Sequence, residues 1–248
     1  MNGTLTIARR EINSYFNSPL AYIFIVAFLV TCALLFFFVE RFFAAGQASL
    51  RGYFALMPLV FSILVPALTM RLWAEERRQG TYELLLTMPF RDAELVLGKY
   101  LAAMAVVGIA LAASLPVPAM VSLFGRFDLG TIVAEYLGAV MMASAAVAIG
   151  QAVSGASRNQ MTAFLAAVLG LMALSLVSQA NAWVELPAWL AAAINWVSLS
   201  YHFQSFSKGV IDTRDVSYFI LLTIASLYLT IRFLSTGRSE EHTSELQS

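Results

Sequence analysis

Residues 66–89 read PALTMRLWAEERRQGTYELLLTMP, and this stretch decides how the chain is organised. An apolar helix ends here in the charged run Glu75–Arg78, Gly80 breaks that run, and Pro89 closes the short segment that follows. Nearly all of the remaining chain is apolar enough to be membrane span. The stretch is therefore the one sizeable segment that offers a soluble protein both charge and shape.

The composition is that of a polytopic membrane protein. Of the 248 residues, 60% are hydrophobic and 12% are charged, and the mean hydropathy is +0.76. A soluble domain has about 45–50% apolar and about 25% charged residues, so this apolar excess exceeds what a water-soluble core of this size holds. The net charge is zero, which provides no basic field for nucleic acid.

Six apolar runs are long enough to cross a bilayer, which takes about 20 helical residues. Prolines 58 and 66 are expected to bend the second span, and the Gly, Ala and Ser residues of the fourth predict close packing among its neighbours. At the start of the third span, Lys99 is expected to lie off the apolar face of the helix. The predicted spans are 20–39, 54–73, 92–115, 132–153, 161–178 and 216–234.

Two further segments are predicted to lie along the membrane rather than across it. Residues 4–16 have the period of an interfacial amphipathic helix, with basic residues facing the headgroups. Residues 187–197 form an apolar helix too short to cross, so residues 181–210 are predicted to be an outer re-entrant or surface-lying helical pair, and their aromatic residues resemble a membrane-interface belt. The apolar face of residues 4–16 comprises Leu5, Ala8, Ile12, Tyr15 and Phe16. The named residues of the outer segment are Trp189, Trp196, Tyr201, His202 and Phe203.

The distribution of Lys and Arg predicts the orientation. With the N-terminus in the cytoplasm, nine basic residues lie on that side and five lie on the other, which favours both termini inside. The stretch 66–89 is then cytoplasmic. The inner residues are Arg9, Arg10, Arg71, Arg77, Arg78, Arg91, Lys99, Arg158 and Arg232. The outer residues are Arg41, Arg51, Arg126, Lys208 and Arg214.

The sequence contains no motif for catalysis or nucleotide binding. It has no phosphate-loop motif and no G-x-G-x-x-G, G-x-S-x-G or H-E-x-x-H motif, and His202 is interpreted as a polar tip in the aromatic segment rather than as a metal ligand. An ion-coupled carrier needs an ionisable group at mid-depth. Glu135 lies about one turn inside the fourth span, where its side chain is expected to reach the headgroups.

The segment after Gly80 is predicted to be a short helix on the cytoplasmic surface. The Thr81 hydroxyl can cap this helix and Glu83 is favoured by its dipole, while Leu84 and Leu85 offer apolar contacts. Charges of the Glu75–Arg78 run can pair with a soluble domain. Periodicity alone leaves open the alternative of an ordinary charged loop.

Several motifs resemble the permease subunits of ABC-2 type transporters, and most closely the gliding-motility type. The resemblance covers nearly all of residues 3–236. The motifs that carry it are Pro66–Arg71, Ala74–Arg78, Gly80–Thr81, Glu83–Thr87, Pro89, Gly98–Lys99, Ser154–Ala163 and Tyr201–Arg214.

This resemblance implies a six-helix permease domain over residues 1–237, in a bacterial inner membrane. It implies an N-terminal connecting helix, a coupling helix at Thr81–Thr87, and a second permease subunit, identical or paralogous. The chain would have no enzymatic activity, and ATP and Mg²⁺ would bind to a dimer of partner ATPase subunits. An accessory outer subunit is possible, and most family members export. The residues implied in ATPase coupling are Glu75, Glu76, Arg77, Arg78, Gly80, Thr81, Glu83, Leu84, Leu85 and Pro89.

Residues 238–248 form an abruptly polar tail that resembles the translation of a sequencing-library adapter. They are interpreted as a non-native tail and excluded from the predicted domain. Two other functions remain open from the sequence. These are an ion-coupled carrier that acts alone and a membrane anchor that recruits a cytoplasmic complex without transport.

Overall fold

The computed structural model describes residues 3–39, 51–81, 90–121, 129–179 and 187–245. Within these ranges the chain is helical and contains no β-strand, which confirms the predicted all-α fold class. The helices are α1 (Gly3–Asn17), α2 (Leu20–Leu34, extended by a π-helical turn, Leu35–Val39), α3 (Arg51–Ala55), α4 (Met57–Thr69), α5 (Arg71–Gln79), α6 (Asp92–Ala113), α7 (Pro116–Val121), α8 (Leu129–Ala156), α9 (Gln160–Leu176, followed by a 3₁₀ turn, Val177–Gln179), α10 (Ala188–Val197), α11 (Leu199–Ser207) and α12 (Thr213–Glu245).

Six helical stretches of the described chain are long and apolar enough to cross a membrane, as predicted. The second includes both α4 and α5, so the charged run Glu75–Arg78 continues the helix of that span. The chain is therefore a multi-pass membrane protein. The six stretches are Leu20–Phe37, Met57–Gln79, Asp92–Val121, Leu129–Ala156, Gln160–Gln179 and Thr213–Thr236.

Helix α8 lies at the centre of the bundle. It contacts α4, α5, α6, α9, α11 and α12, and most of its Ala, Gly and Ser side chains are buried. Small residues allow helices to approach closely where no hydrophobic effect drives them together in lipid. The predicted burial of the fourth span is confirmed.

Helix α1 packs along α6 rather than only on a membrane surface. Ile7, Ala8 and Tyr15 are buried, and the helix contacts α6 extensively and α2 less so. The predicted apolar face was wrong at Leu5, which is 64% exposed, because Ile7 occupies the inward position at this end. The basic residues Arg9 and Arg10 are exposed, as the amphipathic pattern predicted.

The last span and the segment before it fit together at one end of the bundle. Helices α10 and α11 are the predicted helical pair, joined at Ser198. None of the α10 side chains is buried, whereas α11 buries four and contacts α8 and α9. Helix α12 continues beyond the predicted end of the sixth span, through residues 238–245 of the polar tail.

Candidate functional site

The predicted coupling segment lies partly outside the described residues. Glu83, Leu84, Leu85 and Pro89 belong to the stretch 82–89 and are not described. The structure does define how the chain enters that stretch. Helix α5 ends at Gly80, whose φ of 69° is left-handed, a conformation that glycine adopts without the steric cost of a Cβ atom.

The charged run at the end of α5 divides into exposed and inward-facing residues. Arg78 and Thr81 are exposed, and Glu75 and Arg77 are half-buried. The Gln79 amide donates to Glu75 Oε1, while the Thr81 hydroxyl donates to the Glu76 carbonyl at 3.4 Å and so closes the end of α5. The predicted capping of the next helix by Thr81 concerns residues 82–89, which lie outside the described ranges.

Glu76 points into the bundle and forms an ion pair with Lys99. The Lys99 ammonium lies 2.7 Å from Glu76 Oε1 and 3.1 Å from Glu11 Oε1. The Lys99 side chain is only 3% exposed, and the two carboxylate side chains are 18% or less exposed. We call Lys99, Glu11 and Glu76 the Lys99 triad. It joins α1, α5 and α6 on the side of the bundle where the predicted coupling segment begins.

The buried indole of Trp73 lies beside the triad. The Lys99 ammonium is 5.0 Å from the centroid of the Trp73 ring, within the range of a cation–π interaction. Trp73 is fully buried. A lysine needs such partners in an apolar site, because an isolated buried ammonium is far less stable than a hydrated one. The expectation that Lys99 lies off the apolar face of its helix was wrong, because Lys99 is buried beside Trp73.

A close approach of α1 and α6 brings Glu11 within reach of Lys99. A Cβ atom at Gly98 would lie 2.6 Å from Ile7 Cγ2 and 3.1 Å from the carbonyl oxygen of Thr4. Any larger residue at position 98 would push α1 outward. Gly98 therefore permits the close packing of α1 and α6, and Lys99 supplies the ammonium group that pairs with Glu11 of α1.

Ser154 connects the end of α8 to the middle of the second span. Its hydroxyl accepts from the backbone N–H groups of Trp73 and Ala74, at 3.2 and 3.3 Å, and donates to the Met70 carbonyl at 3.0 Å. The hydroxyl is therefore inserted into the helical hydrogen bonds where α4 meets α5. Side-chain insertion of this kind is a known cause of helix bends. Tyr15 adds a second link, because its hydroxyl donates to the Leu68 carbonyl at 3.3 Å.

Burial raises the pKa of the Tyr15 phenol, and the neighbouring Glu11 carboxylate raises it further. The phenol is therefore neutral at physiological pH and acts as a hydrogen-bond donor. A polar cavity of about 300 Å³ lies beside it, between α1 and α5. Its walls include Arg10, Arg71, Glu75 and the Lys99 triad.

The predicted outer segment contains a second buried ionisable pair. His202 Nδ1 lies 2.6 Å from Asp215 Oδ1, and Nε2 donates to the Trp196 carbonyl at 3.0 Å. The ring stacks on Tyr218 with a centroid distance of 3.9 Å. The prediction that His202 is a polar tip at the surface was wrong, because the residue is 5% exposed and Asp215 holds it inside.

The other residues of that segment separate into two groups. Phe203 is buried at 2% exposure, where it packs in the core with Phe206. Trp189 and Trp196 are each 73% exposed and Tyr201 is 45% exposed, which agrees with the aromatic belt expected of interfacial residues.

Glu135 does not reach outward. It is 1% exposed within α8, so the expectation that its carboxylate extends to the headgroups was wrong. Within the described ranges, no three His, Cys, Asp or Glu residues are grouped closely enough to hold a metal ion.

The sequence did not identify Glu11 or Asp215 as site residues. It also did not predict that Lys99 is buried or that Ser154 links α8 to α4 and α5. One signal was available for Lys99, since a lysine eight residues into an apolar helix needs a counter-ion. No periodicity connects Ser154 to Trp73 or His202 to Asp215, because these contacts depend on how the spans pack.

Comparison with known proteins shows the family of the chain. The family model described as ABC-2 family transporter protein matches residues 44–235. No match was found among curated proteins. The chain belongs to the ABC-2 family of transporter proteins. Its family is one of non-catalytic membrane subunits of ABC transporters and implies association with ABC ATPase partners.

Proposed function

We propose that the chain forms the substrate pathway of an ABC exporter and is driven by separate ATPase subunits that bind at residues 75–89. Two permease chains, identical or paralogous, would sit on two ATPase subunits that hold ATP and Mg²⁺. The N-terminus, the Lys99 triad and the C-terminal end of α12 would face the cytoplasm of a bacterium. An accessory subunit on the outer side is compatible with this arrangement.

The Lys99 triad is the observation that carries this proposal. Residues 82–89 connect α5 to α6, and the triad ties these two helices together eight residues into α6. A displacement of the segment by a closing ATPase dimer would therefore move both spans and α1 together. Ser154 would pass the same displacement to α8, the central helix.

The exposed part of the run would contact the ATPase directly. Arg78 and Thr81 are exposed and Glu75 lines the adjoining polar cavity. Glu76 would act indirectly, because its carboxylate is engaged by Lys99. Arg77, Gly80, Glu83, Leu84, Leu85 and Pro89 complete the proposed coupling set.

Proteoliposomes distinguish the proposed function from the two alternatives. The full chain is reconstituted with and without a candidate ABC ATPase subunit, and movement of candidate lipid, peptide and saccharide cargoes is followed. An ABC permease requires the ATPase and ATP, and a protonophore has no effect. A carrier that acts alone would transport without the ATPase and lose transport with the protonophore. A simple anchor would bind the ATPase but leave every solute's distribution unaffected by ATP.

A further inference from the structure

A groove between α10, α11 and α12 has a charged end and an apolar floor. Its volume is about 1140 Å³. Lys208, Asp212 and Arg214 lie at the charged end, and Leu221, Leu222 and Ala225 line the wall formed by α12. At about 1.5 Å per residue, Arg214 and Ala225 are about 16 Å apart along the helix. Each leaflet of a hydrocarbon core about 30 Å thick is about 15 Å deep, so the groove is long enough for a lipid headgroup and most of one acyl chain.

The charges at the polar end favour an anion. The Trp196 carbonyl can only accept a hydrogen bond, so His202 Nε2 carries a proton. One more proton lies between Nδ1 and Asp215 Oδ1, and the pair has zero net charge whichever atom holds it. The other charged residues that line the groove are the cations Lys208 and Arg214 and the anion Asp212, so the groove has a net charge of +1.

Aromatic side chains indicate the level of the groove in the bilayer. Trp196 lines the groove and is 73% exposed, and Trp189, on the same helix, is equally exposed. Trp side chains concentrate at membrane–water interfaces, where their rings lie among the headgroups. The charged end of the groove is therefore at headgroup level, and Leu221–Ala225 are in the hydrocarbon.

We propose that this groove binds one anionic phospholipid of the surrounding bilayer, independently of the transported cargo. The phosphate would lie between Lys208 and Arg214, and one acyl chain would lie along Leu221, Leu222 and Ala225. Leu221 is 65% exposed, so the chain would cover apolar surface that the protein leaves open. The lipid would hold the outer pair α10 and α11 against α12.

Photo-crosslinking tests this proposal. The full chain is reconstituted in phosphatidylcholine vesicles with trace phosphatidylglycerol that carries a diazirine in mid-chain. A neutral glycolipid with the same labelled chain is the comparison probe, and sites are mapped by mass spectrometry. Exposed Leu169 on α9 provides an internal reference for bulk lipid. We expect phosphatidylglycerol to label 188–197 and 221–225 roughly tenfold more than the glycolipid does, and both probes to label Leu169 equally.

Two variants separate the headgroup contact from the acyl-chain contact. Lys208→Glu with Arg214→Glu should remove the phosphatidylglycerol preference, whereas Arg158→Glu, an exposed charge in the turn between α8 and α9, should keep it. Ala225→Trp fills the floor and should lower labelling by both probes while the charged end stays intact. Equal labelling of the groove by the two probes, a preference that persists in the Lys208→Glu and Arg214→Glu double variant, or undiminished labelling in Ala225→Trp would overturn the proposal.

Discussion

Lys99 is the residue on which the proposed coupling depends most. Two carboxylates compensate for the removal of one ammonium from water, and Trp73 adds a cation–π contact. Removal of one partner from a buried ion pair costs about 3 kcal/mol or more, because the remaining charge stays buried without compensation. The triad therefore fixes the relative positions of α1, α5 and α6.

Lys99→Met should lower the stability of the folded chain by about 3 kcal/mol, because Glu11 and Glu76 lose their cation. The midpoint of thermal unfolding in detergent measures this loss. The control is Arg9→Met, which removes an exposed basic side chain of α1. The double variant Lys99→Met with Glu76→Gln should recover part of the loss. A Lys99→Met midpoint equal to the wild-type value would contradict the account.

Ser154→Ala should destabilise the chain by about 1–3 kcal/mol, because the N–H groups of Trp73 and Ala74 lose a buried acceptor. Ser157 is a suitable control, since it directly follows α8 and its hydroxyl donates to the Val153 carbonyl in the last turn of that helix. Amide hydrogen exchange at residues 73 and 74 should be faster in Ser154→Ala and unchanged in Ser157→Ala. Equal exchange in the two variants would show that Ser154 does not hold this part of the span.

At the scale of elements, the sequence predicted α1, the spans and the outer helical pair, but not the pairs of helices that would meet. Helix α3 was also missed, because Arg51 was assigned to a loop. The apolar period placed α1 and the six spans, and the small residues of α8 predicted its central position. The face of Lys99 was assigned from the α6 sequence alone. In the structure Lys99 lies on the same face as the buried Val96, three residues earlier, whereas Leu97 is exposed. The partner of that face is α1, more than 80 residues earlier, and no local pattern contains this information.

Gly98 offers a direct test of the contact between α1 and α6. Gly98→Ala should displace α1 and cost about 1–3 kcal/mol, because the added Cβ would overlap Ile7. Ile7→Ala should relieve this overlap in the double variant. Gly108→Ala in the same helix meets no atom within 4 Å and should be neutral. Equal effects at positions 98 and 108 would argue against close packing of α1.

At the scale of the molecule, the two buried ionisable clusters lie at opposite ends of the central helix. Ser154 is at the C-terminal end of α8, next to Trp73 and hence the Lys99 triad, whereas Gly138 packs against Phe206 of α11. The fold class and the family could be predicted from composition, span length and motifs. The clusters could not, because each is assembled from helices that are distant in sequence.

The most direct test of the central claim is the ATPase activity of the reconstituted complex. The full chain and a candidate ABC ATPase subunit are reconstituted with Thr81–Thr87 intact or deleted, and Leu169→Ala, at an exposed position of α9, serves as the control. The account predicts that the deleted chain still inserts in the membrane but no longer stimulates ATP hydrolysis, while Leu169→Ala stimulates as the wild type does. Full stimulation by the deleted chain would contradict it.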